Sequence, residues 1–245
     1  RTAGRGITAP EPGRSDVPYW VTSEAEARKA VQEQAAKKVD LIKLWVDDRD
    51  GKYKKLSPEI YRAAIDEAHK NKMRVTAHIF TLEDAKGLLR AGLDGFAHGV
   101  RDKDIDDEFV ALIKQRPIFL VPNLPDRGVK TDLSWLSDSV PAAELTKLQQ
   151  GASTDRPAQQ QTFGIQARNL ARLNKEGVRI ALGTDGNVPY AHHIEMADMA
   201  AAGMTPALDA NPLDDITNTR RIASVYLRGT AVDRAAMRSR WMASK

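Results

Sequence analysis

Four ionisable residues stand in or directly after short apolar segments, where a buried strand normally carries only apolar side chains. They are Lys43, His78, His98 and Asp185. Two imidazoles and a carboxylate are ligands that suit a borderline divalent ion such as Zn²⁺. A buried lysine without a partner is costly, so Lys43 must lose its charge, pair with a carboxylate or be chemically modified. The four residues together predict a metal site.

The segments that carry these residues are predicted to be strands of one sheet. The predicted strands are residues 41–46, 74–79, 95–98, 118–121 and 179–184. They alternate with amphipathic stretches across short connections, which is typical of an α/β fold with a parallel sheet. Both a doubly wound sheet and a (β/α)8 barrel fit this alternation. If the apolar side chains face the helices, the polar ones face a shared interior near the carboxyl ends of the strands, where barrel enzymes place their chemistry.

Capping and turn residues predict the helices between these strands. The predicted helices are residues 23–38, 60–72, 81–92, 104–115, 162–176 and 193–202. The alternation is predicted to begin only after a Gly- and Pro-rich lead-in, residues 4–18. Residues 122–157 contain several Pro and Gly residues and are predicted to form a long irregular loop. A loop of that size is usually functional or a lid.

Each of the four ionisable residues also has a simpler explanation. A single strand histidine is more often a hydrogen-bonded core residue than a ligand, and an aspartate at a strand end often caps the next helix. A strand lysine can extend from an edge strand to water. Their occurrence on four separate strands favours the metal site over these separate explanations.

Composition excludes several other classes of protein. The chain has 245 residues, 37 Lys and Arg against 33 Asp and Glu, and no cysteine, which excludes disulfides, a thiolate nucleophile and a Cys-ligated metal. Its basic residues are scattered, so nucleic-acid binding has little support. No apolar run approaches the roughly 18–20 residues that span a bilayer. The expected partner is a small-molecule substrate; the sequence indicates no compartment and leaves a homo-oligomer open.

Six short segments carry a resemblance to a known family. They read Ile42-Lys43-Leu44-Trp45, Val75-Thr76-Ala77-His78, Gly95-Phe96-Ala97-His98-Gly99, Leu182-Gly183-Thr184-Asp185-Gly186, Ala201-Ala202-Gly203-Met204-Thr205-Pro206 and Asn211-Pro212-Leu213-Asp214-Asp215-Ile216. In this order they resemble the amidohydrolase superfamily, specifically its imidazolonepropionase-like branch, which includes metal-dependent dipeptidases. The resemblance implies a (β/α)8 barrel, partial in this chain, with strands 3 to 8 in residues 1–207. It also implies that residues 208–245 are a remnant of a small β-sandwich domain and a tail.

The resemblance further implies a role for each candidate residue. Lys43 matches the lysine of the family's fourth strand, which is often carboxylated by carbon dioxide and then bridges two metal ions. His78 and His98 match the histidines that ligate the more exposed ion. Asp185 matches the eighth-strand aspartate, which ligates the buried ion and accepts a proton from the attacking water. These matches imply one or two divalent ions, with zinc as the expected metal.

Two further residues are expected to contact the substrate, and three functions stay open. Tyr190 and His193 follow the last predicted strand, and His193 begins the His-x-Glu pattern that is common in this branch. The first function is a metal-dependent hydrolase of an amide-type C–N bond, in a cyclic amide or a dipeptide. The second is a non-catalytic remnant or partner-binding module, and the third is an esterase, lactonase or phosphotriesterase that uses the same site.

The sequence departs from the family pattern at two places. The His-x-His motif of the family's first strand does not occur, and Ala207 is followed almost at once by the segment that begins at Asn211, where the family has a further helix and strand. These departures predict that the sequence lacks parts of a longer protein or is a truncated product.

Overall fold

A parallel sheet of seven strands forms the centre of the fold. The computed structural model describes residues 2–186, 188, 190–204, 226–227, 230–231, 233, 235–236 and 239–240. The strands are β1 (Ile7–Thr8), β2 (Tyr19–Trp20), β3 (Leu41–Val46), β4 (Arg74–Ile79), β5 (Gly95–Phe96), β6 (Phe119–Leu120) and β7 (Arg179–Ile180). They lie in the order β2-β1-β3-β4-β5-β6-β7, and every neighbouring pair is parallel. The predicted α/β fold with a parallel sheet is therefore confirmed.

Seven α-helices lie in the described part of the chain up to residue 204. They are α1 (Glu24–Ala36), α2 (Pro58–Lys70), α3 (Leu82–Ala91), α4 (Asp107–Lys114), α5 (Ala142–Gly151), α6 (Pro157–Lys175) and α7 (Ala191–Ala201), with a short 3-10 helix at Ser134–Leu136. Each of α1, α2 and α3 packs against the next helix along the chain. This arrangement places successive helices side by side, as the strand–helix alternation requires.

Local sequence explains where several of these helices begin and end. The Ser23 hydroxyl accepts a hydrogen bond from the backbone N–H of Glu26 at the start of α1, and Thr81 caps α3 in the same way. The Asp106 carboxylate accepts from the backbone N–H of Phe109 and caps α4. Gly92 ends α3 with φ of 101°, a left-handed conformation that glycine adopts without steric cost.

The two longest strands separate an apolar face from a polar one. In β3, Ile42, Leu44 and Val46 are fully buried, whereas Lys43 and Trp45 are only partly buried. Lys43 pairs in register with Thr76 of β4, and Trp45 pairs with His78. Paired residues of neighbouring strands point to the same side of a sheet, so Lys43 and His78 share one face.

Two predictions about secondary structure are wrong, and two strands have no counterpart among those predicted from alternation. β1 and β2 lie within and just after the lead-in; they are only two residues long and cannot show alternation. Residues 122–157 are not wholly irregular, since they hold the 3-10 helix and α5, which has no buried residue and hence no apolar stripe to reveal it. β7 ends at Ile180 rather than at residue 184.

The chain divides into two compact units, Arg1–Met204 and Thr205–Lys245. In the second unit, the described residues include a pair of antiparallel strands, β8 (Tyr226–Leu227) and β9 (Thr230–Ala231). The rest of the predicted β-sandwich segment in residues 208–245 lies almost entirely outside the described residues. Among the described helices, none combines the length and the apolar character that crossing a membrane requires.

Candidate active site

The two candidate histidines lie side by side at the carboxyl ends of β4 and β5. Their ring centroids are 4.6 Å apart and the ring planes are nearly perpendicular, at 76°. Strand alternation from Phe96 would place His98 on the apolar face of the sheet. However, β5 ends at Phe96 and residues 97–98 form a bend, which brings the His98 ring to His78. Both side chains are buried, with 8% exposure for His78 and 4% for His98.

Asp185 lies near the two histidines, in the loop that follows β7. Its Oδ2 atom lies 3.9 Å from Nε2 of His98, and its side chain is 74% exposed. Asp185 has φ of 46°, a left-handed conformation that is uncommon for residues other than glycine and is enriched in aspartate and asparagine. The structure therefore brings one exposed carboxylate against the buried pair of imidazoles.

Lys43 belongs to the electrostatic environment of this cluster. Its ammonium lies 5.6 Å from the centre of the Trp45 ring. Burial lowers the pKa of Lys43 to about 8; the Asp185 charge opposes this shift, and the Arg101 charge adds to it. Burial also lowers the pKa of His98 to about 2, with contributions from His78, Arg101 and Lys43. His98 is therefore neutral near pH 7, and a fraction of Lys43 is uncharged.

Sequence reasoning missed a group of charged residues around His78. Oδ2 of Asp47 lies 2.9 Å from Nε2 of His78, and a guanidinium nitrogen of Arg49 lies 2.6 Å from the same Oδ2. Burial alone would raise the pKa of Asp47, but the hydrogen bonds from His78 and Arg49 and the Arg49 charge hold that pKa well below its usual range. The position of Asp47 directly after β3, which parallels that of Asp185 after the last predicted strand, is a signal that could have identified it.

Arg101 is a second residue that the sequence analysis did not single out. Its backbone N–H donates to the carbonyl of Phe80, which ties the loop after β5 to the end of β4. Its Nε is buried and has no hydrogen-bond partner in the described part of the chain. Burial lowers the pKa of Arg101, while the charges of Asp47 and Asp185 oppose the shift. A guanidinium close to the histidines therefore has hydrogen-bonding capacity that the described residues leave unused.

The two predicted substrate contacts, Tyr190 and His193, belong to a separate cluster. Tyr190 is 9% exposed and packs with Leu136 and Val140. The His193 ring lies 5.8 Å from the ring of Trp135 and 4.0 Å from that of His192. Helix α7 and the segment around the 3-10 helix therefore pack together through these side chains.

Buried acids attach α7 to the loop after β6. Both carboxylate oxygens of Glu195 accept from the backbone N–H of Leu124, at 3.0 and 3.1 Å. Asp198 pairs with Nε of Arg127 at 2.8 Å. Burial raises the pKa of Glu195 and that of Asp198 to about 7 in each case. This attachment holds the middle of α7, the helix that follows Asp185, against that loop.

Glu195→Gln is expected to make the stability of the protein less dependent on pH. The pKa of Glu195 is raised from 4.5 to about 7, so the folded protein binds this proton more tightly than the unfolded chain. The free energy of unfolding therefore falls as the pH rises through this interval, by about 3 kcal/mol from this group. Urea unfolding at pH 5 and pH 8 measures the difference. Equal pH dependence of wild type and variant would contradict the assignment.

The chemistry of the side chains present suits a divalent metal ion. Neutral imidazole is the form of histidine that ligates metals, and burial lowers the pKa of both His78 and His98. The carboxylate on Nε2 of His78 is the kind of partner that ligating histidines have, and Nδ1 of His98 is buried without a partner in the described residues. Within the described ranges, however, no three His, Asp or Glu side chains are grouped as closely as one ion would need.

The chain matches one protein family and is similar to proteins of known sequence. The model of the amidohydrolase family matches residues 9–224. An uncharacterized protein of Mycobacterium tuberculosis (strain ATCC 25618 / H37Rv) is 34% identical over 126 residues, which is 50% of this chain and 33% of that relative. The chain thus spans about a third of the length of the curated relatives that it matches.

Solved structures share the fold of the chain. A protein from Bifidobacterium longum that has been assigned as a prolidase superposes with a TM-score of 0.70 and 22% identity, over 98% of this chain and 68% of that one. A Xaa-Pro dipeptidase with methionine bound in its active site superposes with a TM-score of 0.64 and 20% identity, over 90% of this chain and 63% of that one. The predicted partial (β/α)8 barrel is confirmed by this likeness together with the parallel sheet.

Proposed function

Because this chain belongs to the amidohydrolase family, we propose that it is part of a metal-dependent hydrolase that cleaves an amide-type C–N bond. The observation that carries the proposal is that the His78 ring lies beside the His98 ring, and that His98 lies 3.9 Å from Asp185, at the carboxyl-end side of parallel strands, the rim that barrel enzymes use for catalysis. The substrate is a small molecule, either a dipeptide or a cyclic amide. The similarity to a structure described as a Xaa-Pro dipeptidase favours the dipeptide.

The proposed ligands are Lys43, His78, His98 and Asp185, and the proposed metal is zinc, as one or two ions. When bound, a divalent ion lowers the pKa of water towards neutrality and polarises a substrate carbonyl. His78 and His98 contribute neutral imidazole nitrogens. Lys43 contributes an anionic oxygen if its amine has reacted with carbon dioxide to form a carbamate, which also removes the cost of a buried ammonium.

Asp185 is the proposed acid–base residue. Its exposed carboxylate is open to both water and substrate, whereas the neighbouring imidazoles are buried. Oδ2 of Asp185 accepts the proton that the attacking water loses as its oxygen bonds to the carbonyl carbon. The same oxygen then returns this proton to the leaving nitrogen as the C–N bond breaks, so that the carboxylate is regenerated.

Two residues and two regions of the chain have further proposed roles. Tyr190 and His193 are the proposed substrate contacts, from the segment that follows Asp185. Residues 1–207 are the proposed barrel region and residues 208–245 the proposed sandwich segment and tail. The activity belongs to the whole protein, of which this chain supplies the strands described above.

Metal analysis combined with a substrate panel tests the proposal. We expect the purified natural protein to contain about one or two equivalents of a divalent metal and to hydrolyse dipeptides or cyclic amides faster than p-nitrophenyl esters, lactones or phosphotriesters. Chelation should abolish the activity, and added Zn²⁺ should restore it. A protein that hydrolyses the esters or phosphotriesters fastest would move the assignment to that bond class. A protein with neither metal nor activity would be a non-catalytic, partner-binding module.

A further inference from the structure

A chain of three charged side chains ends on His78. Glu11, Arg49 and Asp47, here called the Asp47 relay, come from the connection after β1 and the loop after β3. Nε of Arg49 lies 3.4 Å from Oε1 of Glu11, and its Nη1 lies 2.6 Å from Oδ2 of Asp47. The same Oδ2 is 2.9 Å from Nε2 of His78. Glu11 is 3% exposed and Asp47 is 7% exposed, so both carboxylates are shielded from water, whereas the Arg49 side chain is 19% exposed.

Two members of the relay, Asp47 and Arg49, require opposite protonation states of Nε2 of His78. A carboxylate only accepts hydrogen bonds, so contact with Asp47 requires Nε2 of His78 to carry the proton. A guanidinium only donates, so contact with Arg49 requires Nε2 to be unprotonated. The Arg49 nitrogen lies 3.3 Å from Nε2, farther than the 2.9 Å of Asp47. The shorter contact, to a charged acceptor, determines which nitrogen is protonated.

Arg49 also fixes the carboxylate that makes this contact. Its backbone N–H donates to Oδ1 of Asp47 at 2.9 Å while its guanidinium holds Oδ2. Arg49 has φ of 55°, a left-handed conformation that is uncommon for a residue with a long side chain. Asp47 therefore cannot turn away from His78 without losing both bonds to Arg49.

We propose that Asp47, held by Arg49 and Glu11, is a positioning residue that keeps the imidazole of His78 in the Nε2–H tautomer. This tautomer leaves the lone pair on Nδ1, which makes no hydrogen bond with the residues that the structure describes. Nδ1 is then the atom through which His78 binds a metal ion. The inference rests on the proposed role of His78, but the tautomer itself exists in the metal-free protein and does not depend on hydrolysis.

Long-range ¹H–¹⁵N correlation spectra of the metal-free protein above pH 7 test the proposal. The His78 signals are assigned by their loss in His78→Gln. In wild type we expect protonated Nε2 and unprotonated Nδ1. In Asp47→Leu the remaining neighbour of Nε2 is the Arg49 donor, so the proton is expected to move to Nδ1. The Kd for Zn²⁺, measured by competition with a chromophoric chelator, should rise about 10- to 100-fold.

The surface pair of His69 and Asp94 supplies a matched control. Nε2 of His69 lies 2.8 Å from Oδ2 of Asp94, away from the candidate site, and the same Oδ2 accepts from the backbone N–H of Val75. Asp94→Asn keeps an acceptor for the backbone N–H of Val75 and should leave the His78 tautomer and the Kd for Zn²⁺ unaltered. A wild-type spectrum with the proton on Nδ1 of His78 would overturn the proposal, whether or not the Asp47→Leu variant folds. So would an unchanged His78 tautomer in folded Asp47→Leu.

Discussion

Asp185→Asn is expected to lower kcat for amide hydrolysis by about 10²- to 10⁴-fold, which is the contribution that a positioned general acid–base typically makes. The substitution keeps the size of the side chain but removes its capacity to hold a proton at Oδ2. Because the side chain is 74% exposed, the free energy of unfolding should change little. Steady-state kinetics and urea unfolding of the purified variant measure these two quantities, and its metal content tests the ligand role of Asp185.

A second exposed aspartate separates this effect from a general loss of negative charge. Asp104 lies on the surface and pairs with Arg168. Asp104→Asn should leave both kcat and the metal content at wild-type values. If Asp185→Asn also retained full kcat and full metal content, that result would exclude both the ligand role and the acid–base role of Asp185.

The positions of Lys43 and His78 were predictable from sequence because both lie in six-residue strands. Such strands are long enough for the two-residue alternation to separate the apolar face from the polar one, and their register places both residues on one face. His98 and Asp185 follow strands of only two residues, so alternation does not determine their direction. A bend and a left-handed backbone conformation bring them to the site instead.

The relay was not predictable because its geometry depends on contacts between distant parts of the chain. Asp47 and Arg49 look like ordinary residues of a charged loop in the sequence Asp47-Asp48-Arg49-Asp50. Their roles depend on Glu11, which reaches Arg49 only because β1 pairs with β3. Short strands such as β1 form because they pair with other strands and not because of a local sequence pattern. The positions of the residues that they carry are therefore not predictable from the sequence either.

The pKa values of Lys43 and Lys86 shift in opposite directions, although burial by itself lowers both. Lys86 is 4% exposed but lies 2.9 Å from Glu108 and also pairs with Asp106, and these bonds raise its pKa. Among the described residues, Lys43 has no carboxylate within ion-pair distance, and burial lowers its pKa to about 8. Only an uncharged amine reacts with carbon dioxide, because the nitrogen lone pair forms the new N–C bond and one proton is released. Of these two lysines, Lys43 is therefore the one that we propose to be carboxylated.

Lys43→Ala is accordingly expected to lower kcat/KM by about 1,000-fold, which exceeds the 10- to 100-fold that loss of an outer-shell partner costs. Added acetate should restore part of the activity by supplying the missing carboxylate. In wild type equilibrated with ¹³C-labelled bicarbonate, the ¹³C carbamate signal should grow as the pH rises towards 8 and the free amine fraction increases. Lys86→Ala should retain this signal and Lys43→Ala should lose it. Full activity of Lys43→Ala without acetate would exclude a ligand role for this lysine.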